Sequence, residues 1–186
     1  KLYITCLLII IFLLFEFLSA SFQTDIIDLF HGGLKLSSSY KSSLDGSLWS
    51  GSYVTSGIIQ ENLGVRFIWN ILSYQSIGSS RYLDLLFIFI LKISLIILIY
   101  EITKKNFVDE YLNIFYFLII SLISLFLIDY DLTSGDSLAY RDLPIIFSLI
   151  IFFRYLNDIN RNFPLFILLG SLSVMTFFWS IDRALI

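Results

Sequence analysis

The chain has 186 residues, of which 58% are hydrophobic, 18% aromatic and only 15% charged, with a formal charge of −3. A soluble globular domain is nearer half apolar with about a quarter of its residues charged, so a mean hydropathy of +0.86 places this sequence among integral membrane proteins. The charges form no basic block, which argues against nucleic acid as a partner, and a single cysteine, Cys6, excludes an intrachain disulfide or a cysteine-built metal cluster.

Residues 2–19 are apolar enough, and long enough as a helix, to cross about 30 Å of hydrocarbon. Leu18-Ser19-Ala20 resembles a small-residue cleavage site, so a cleaved signal peptide is the alternative to a retained helix. The opening Lys1 and the stop at Ile186, just past an aromatic helix end, read as a fragment.

A polar insertion follows, residues 20–81. From Asp25 to about Leu44 the spacing is helical: Asp28, His31, Lys35 and Ser42 fall on one face, and Ile27, Phe30 and Leu34 on another. Asp45-Gly46 signals a turn, and the Ser/Gly-rich stretch after it reads as loop. A second amphipathic segment runs from about Ile58 to Tyr74, with a polar stripe of Asn62, Arg66, Asn70 and Ser73. Its apolar stripe is Ile59, Leu63, Phe67, Ile71 and Tyr74. Two such helices are expected to lie along a membrane surface.

Four further apolar runs are predicted as spans: 82–100, 111–128, 143–156 and 163–181. Asp142 is placed to cap the third of these, with Pro144 tolerated in its first turn. The predicted fold is therefore all-α, a polytopic membrane helix bundle in a single domain, with one long outer loop carrying two surface helices. Lys104 and Lys105, and Arg154 and Arg161, mark short cytoplasmic loops, which puts the N-terminus in the cytoplasm and the 20–81 insertion outside.

That topology sends three polar clusters to one outer surface: Asp25, Asp28, His31 and Asp45; then Asp129, Asp131, Asp136, Arg141 and Asp142; then Asp182 and Arg183. Carboxylates serve as general bases, and arginines clamp phosphate oxygens. Such a surface suits a phosphorylated lipid and a hydroxyl acceptor. Taken singly, each of these acids and arginines is better explained as a hydrated helix end, and Asp129 and Asp131 are assigned to that role. As the sole histidine, His31 belongs to no multi-histidine zinc site. Tyr40, Trp49 and Tyr53 are suited to stacking on sugar rings or to anchoring at an interface. Within the spans, Lys92, Glu16 and Asp84 are functional suspects because charge in lipid is costly.

One segment set carries a resemblance. Asp28-Leu29-Phe30-His31-Gly32, then Asp45-Gly46-Ser47-Leu48-Trp49, then Ile77-Gly78-Ser79-Ser80-Arg81, follow a first span in the order seen in the C-type (GT-C) membrane glycosyltransferases. The chain resembles those enzymes over roughly residues 2–100. His31-Gly32 stands where many of them have an acidic pair, and the step from Gly78 to Arg81 is short. The resemblance implies sugar transfer from a polyprenyl-phosphate carrier to a glycan, lipid or protein acceptor, at the outer face of a bacterial inner membrane. It implies Asp28 as base, with His31 and Asp45 beside it. Lys35, Trp49, Asp136, Arg141, Asp142, Asp182 and Arg183 would bind substrate, and no resident metal is implied, although a divalent ion is left open. The alternative is a small-molecule or ion transporter working at mid-membrane around Lys92.

Overall fold

The structure, a computed structural model, describes residues 1–19, 31–46, 57–104, 109–126, 141–157 and 163–179, the side chains of residues 31, 32, 60, 61, 157 and 163 excepted. The described secondary structure is entirely helical. The helices are α1 (Leu2–Ser19), α2 (His31–Asp45), α3 (Gly64–Leu72), α4 (Ile77–Thr103), α5 (Glu110–Phe126), α6 (Leu143–Asn157) and α7 (Phe163–Trp179), with a π-helical turn at Ile59–Leu63 leading into α3. Two of them, α1 and α4, are long and apolar enough to cross a membrane; the apolar helices α5, α6 and α7 are shorter.

Local chemistry sets several boundaries. Ser76 Oγ accepts the Ser79 N–H at 3.0 Å, the N-cap bond that starts a helix. This is why α4 begins at Ile77, five residues before the apolar run that predicted it. Ser73 closes α3 in the left-handed region, at φ 50°. Asp109 caps α5 by accepting the Tyr111 N–H at 2.8 Å.

The chain divides into two compact units. The first comprises Lys1–Ser21, Ile88–Asp129 and Leu143–Ser173. In it α1 runs antiparallel to the second half of α4. Tyr3 meets Tyr100 edge-on with ring centroids 6.4 Å apart, and Phe17 stacks on Phe89 at 4.6 Å. Leu13, Leu91, Ile96 and Phe117 are buried there. Lys1 Nζ reaches Glu110 Oε2 at 3.3 Å, and this hydrogen bond holds the exposed carboxyl below its ordinary range.

The second unit comprises Phe22–Phe87, Tyr130–Asp142 and Val174–Ile186. Its apolar core is Val65, Ile68, Trp69 and Leu83, with Leu36 and Phe87 packed against it. Trp69 Nε1 donates to the Ser76 carbonyl at 3.0 Å, and Phe87 lies edge-on to Trp179 at 5.1 Å.

Burial in this unit runs opposite to a surface-helix expectation. The polar face of α2 points inward: Lys35, Ser38, Ser39 and Ser42 are buried, while Tyr40 and Leu44 are exposed. Asn62, expected on a wetted stripe, is fully buried. Phe67, Ile71 and Tyr74, the apolar stripe of the predicted surface helix, are 64%, 58% and 68% exposed. The physical reason is hydrogen bonding between the two segments. Asn62 Nδ2 donates to the Ser38 carbonyl and Oγ, its Oδ1 accepts from Ser42 Oγ at 2.8 Å, and Ser39 Oγ donates to the Asn62 carbonyl. Small serines allow close approach, and the polar groups find one another instead of solvent. Gly64 completes the arrangement by donating its N–H to the Ile59 carbonyl, the bond that defines the π turn.

A buried cluster of Lys35, Arg81 and Asp84

The most concentrated charge in the second unit lies where α2 meets the first two turns of α4. Lys35 Nζ is ion-paired and hydrogen-bonded to Asp84 Oδ1. Arg81, one turn before Asp84 on the same helix, brings Nη1 to 4.0 Å from Asp84 Oδ2. All three are more than nine-tenths buried, with 8%, 6% and 3% exposure for Lys35, Arg81 and Asp84.

Two cations here share one carboxylate. Removing an ion from water costs several kcal/mol unless its partners restore the lost hydration, and Asp84 serves both neighbours. Among the described residues, Arg81 Nη2 is nevertheless buried without a hydrogen-bond partner. Since buried polar groups are nearly always satisfied, this nitrogen marks a place where the protein interior favours an additional acceptor. The chemistry the group can perform is therefore anion binding. Asp84 organises the two cations and is not positioned as a free base.

The sequence-predicted residues divide clearly. Lys35 belongs to this cluster, although it faces the interior and not an outer surface. Asp45 is exposed at the end of α2 and pairs with Lys41 at 3.2 Å, away from the buried charges. Arg141 and Asp142 are half-buried, immediately ahead of α6, and both make polar interactions. Asp25, Asp28, Trp49, Asp136, Asp182 and Arg183 lie outside the described residues, as does the side chain of His31. Of the expected convergence of Asp28, His31, Arg141 and Asp182, Asp28 and Asp182 and the side chain of His31 lie outside the described residues. Among the described residues, no group of three or more His, Cys, Asp or Glu side chains could hold a metal ion.

Sequence reasoning placed Arg81 only as a motif terminus and put Asp84 with Lys92 and Glu16. The signal for the cluster was present: an arginine and an aspartate one turn apart at the start of a 27-residue apolar helix. Lys92 and Glu16 do pair, at 3.6 Å, within the first unit. Asp84 is engaged elsewhere.

Comparison of the chain with protein-family models, with curated proteins and with solved structures yields no match.

Proposed function

We propose that this chain is a polytopic membrane glycosyltransferase, or a portion of one, that moves a sugar from a polyprenyl-phosphate carrier to an acceptor at the outer membrane face. The observation that carries the reading is Arg81, whose buried guanidinium keeps one nitrogen unpartnered beside Lys35. A phosphate oxygen is the acceptor such a group favours, through short charge-assisted hydrogen bonds. Arg81 ends the Ile77-Gly78-Ser79-Ser80-Arg81 segment on which the resemblance to the C-type enzymes rests.

In this reading α1, α4, α5, α6 and α7 are the spans, and the N-terminus is cytoplasmic. Asp28 deprotonates or orients the acceptor hydroxyl, and His31 assists binding. Arg81, with Arg141 or Arg183, stabilises the charge that develops on the departing phosphate. The apolar faces of α3 and α1 left exposed in the structure are those that lipid would cover.

The test is sugar transfer in membranes supplied with polyprenyl-phosphate sugar. Asp28→Asn is expected to lower turnover by about 10²-fold or more. Arg81→Gln should weaken use of the donor while Arg81→Lys retains part of it. Full transfer by Asp28→Asn and Asp45→Asn variants would remove the proposed base.

A transporter is the second reading, favoured by the Lys92–Glu16 pair in the first unit. Charged pairs inside apolar helices mark ion and substrate paths. Lys92→Met separates the two, since a transporter loses uptake and a transferase retains its chemistry.

A further inference from the structure

The second unit also contains a cavity of about 640 Å³, within the size range of small-molecule sites of about 300–1,000 Å³. Ile59, Leu63, Phe67 and Phe87 give it an apolar wall, and Arg66 and Asn70 supply its polar groups. Among the described residues, no carboxylate lines it. Arg66 is half-buried and, among the described residues, has neither an ion-pair nor a hydrogen-bond partner. The wall continues onto the exposed stripe of Phe67, Ile71 and Tyr74.

The cavity also straddles a polarity boundary. Phe87 lies six residues beyond Arg81 on α4, about 9 Å along the axis at 1.5 Å per residue. It falls past the charged first turns and inside the apolar stretch of that helix. A molecule filling this space must therefore be apolar along Phe87, Leu63 and Phe67 and negatively charged at Arg66.

We infer that this groove binds an anionic diacyl phospholipid, with its phosphate on Arg66 and Asn70 and one acyl chain along Ile59, Leu63, Phe67 and Phe87. Charge complementarity selects the occupant. Among the described lining residues one guanidinium without an ion-pair partner and no carboxylate match one phosphodiester, and a zwitterionic headgroup would bring an ammonium that no described lining acid meets. Basic pockets beside membrane helices hold anionic headgroups for the same reason. The inference does not depend on glycosyl transfer.

The experiment reconstitutes the full chain in nanodiscs of equal dioleoyl-phosphatidylglycerol and dioleoyl-phosphatidylcholine, and counts retained lipid by native mass spectrometry. Phosphatidylglycerol should be retained about fivefold over phosphatidylcholine, the ratio given by the ~1 kcal/mol attraction of one basic side chain for an anionic headgroup. Arg66→Gln should abolish that preference and Arg66→Lys should keep most of it. Leu63→Trp, at an exposed position, fills the groove and should lower retention without changing charge. Equal retention by the parent chain, or a preference that survives Arg66→Gln, overturns the inference. Displacement by soluble glycerol phosphate also overturns it, because the chain would then contribute nothing. Displacement by undecaprenyl phosphate at equal mole fraction overturns the choice of ligand while leaving the transferase reading standing.

Discussion

Lys35 and Asp84, 49 positions apart, form an ion pair inside the second unit, and that pair joins α2 to the start of α4. Arg81 reaches the same carboxylate from one turn earlier. The arrangement is asymmetric, because one acid answers two bases. Losing Asp84 removes the one carboxylate that both buried cations reach, whereas losing Lys35 leaves Asp84 with Arg81. Asp84→Asn is therefore expected to destabilise more than Lys35→Met, by about 3–5 kcal/mol for a broken buried pair. The Lys35→Met/Asp84→Asn double variant should recover little, because Arg81 remains unanswered. Unfolding in mixed detergent, followed by helical circular dichroism, measures the order. Equal losses in the two single variants would contradict the shared-carboxylate arrangement.

Asn62 carries the docking of α2. Asn62→Ala removes its buried hydrogen bonds to the Ser38 carbonyl and hydroxyl and to the Ser42 hydroxyl, and should cost about 1–3 kcal/mol. Ser42→Ala should cost less. A double-mutant cycle across the 2.8 Å contact is expected to give coupling of about 0.5 kcal/mol or more. Additive losses would mean that the two side chains do not act together.

Glycine substitutions should differ in sign along the chain. A Cβ at Gly64 would stand 3.0 Å from the Ile59 carbonyl oxygen and 3.3 Å from Leu83 Cδ2. The first is backbone and cannot swing aside, so Gly64→Ala should destabilise by about 1–3 kcal/mol. A Cβ at Gly33 or Gly170 meets nothing within 4 Å. Both lie in helices, and alanine there should stabilise by up to about 1 kcal/mol. Thermal melts of the three variants decide the matter, and a stabilised Gly64→Ala chain would show that the π turn can relax.

The ion pair of the first unit should matter less than the cluster of the second. Glu16 is 38% exposed and lies 3.6 Å from Lys92. Lys92→Met is expected to cost about 1 kcal/mol, the usual scale for a polar contact between helices in lipid. A loss as large as that of Asp84→Asn would place Lys92 in a drier and more demanding environment than its pairing indicates.

Helix positions were largely legible from the sequence, because uninterrupted apolar runs need no partner to be recognised. The ranges of α1, α5, α6 and α7 follow those runs closely. What a periodicity cannot say is which medium a face will meet. Lys35 and Ser42 were correctly assigned to one face of α2, yet that face is inside, because its hydrogen-bond partners arrive with Asn62. The apolar stripe of Phe67, Ile71 and Tyr74 was found as one face, and it is exposed. The Lys35–Asp84 contact had no local signature at all, since nothing in a single sequence links positions so far apart.

The bonds between Asn62 and the serines of α2 also impose an order on biosynthesis. Asn62 is made 20 residues after Ser42, so α2 leaves the ribosome before its polar face has Asn62 to pair with. Until α4 follows with Asp84, the Lys35 ammonium must be held by water or by lipid headgroups. Release of α2 alone into hydrocarbon would strand it. A chain truncated before Asn62 should therefore remain accessible to aqueous labelling and proteases along α2, whereas one extended through α4 should protect it.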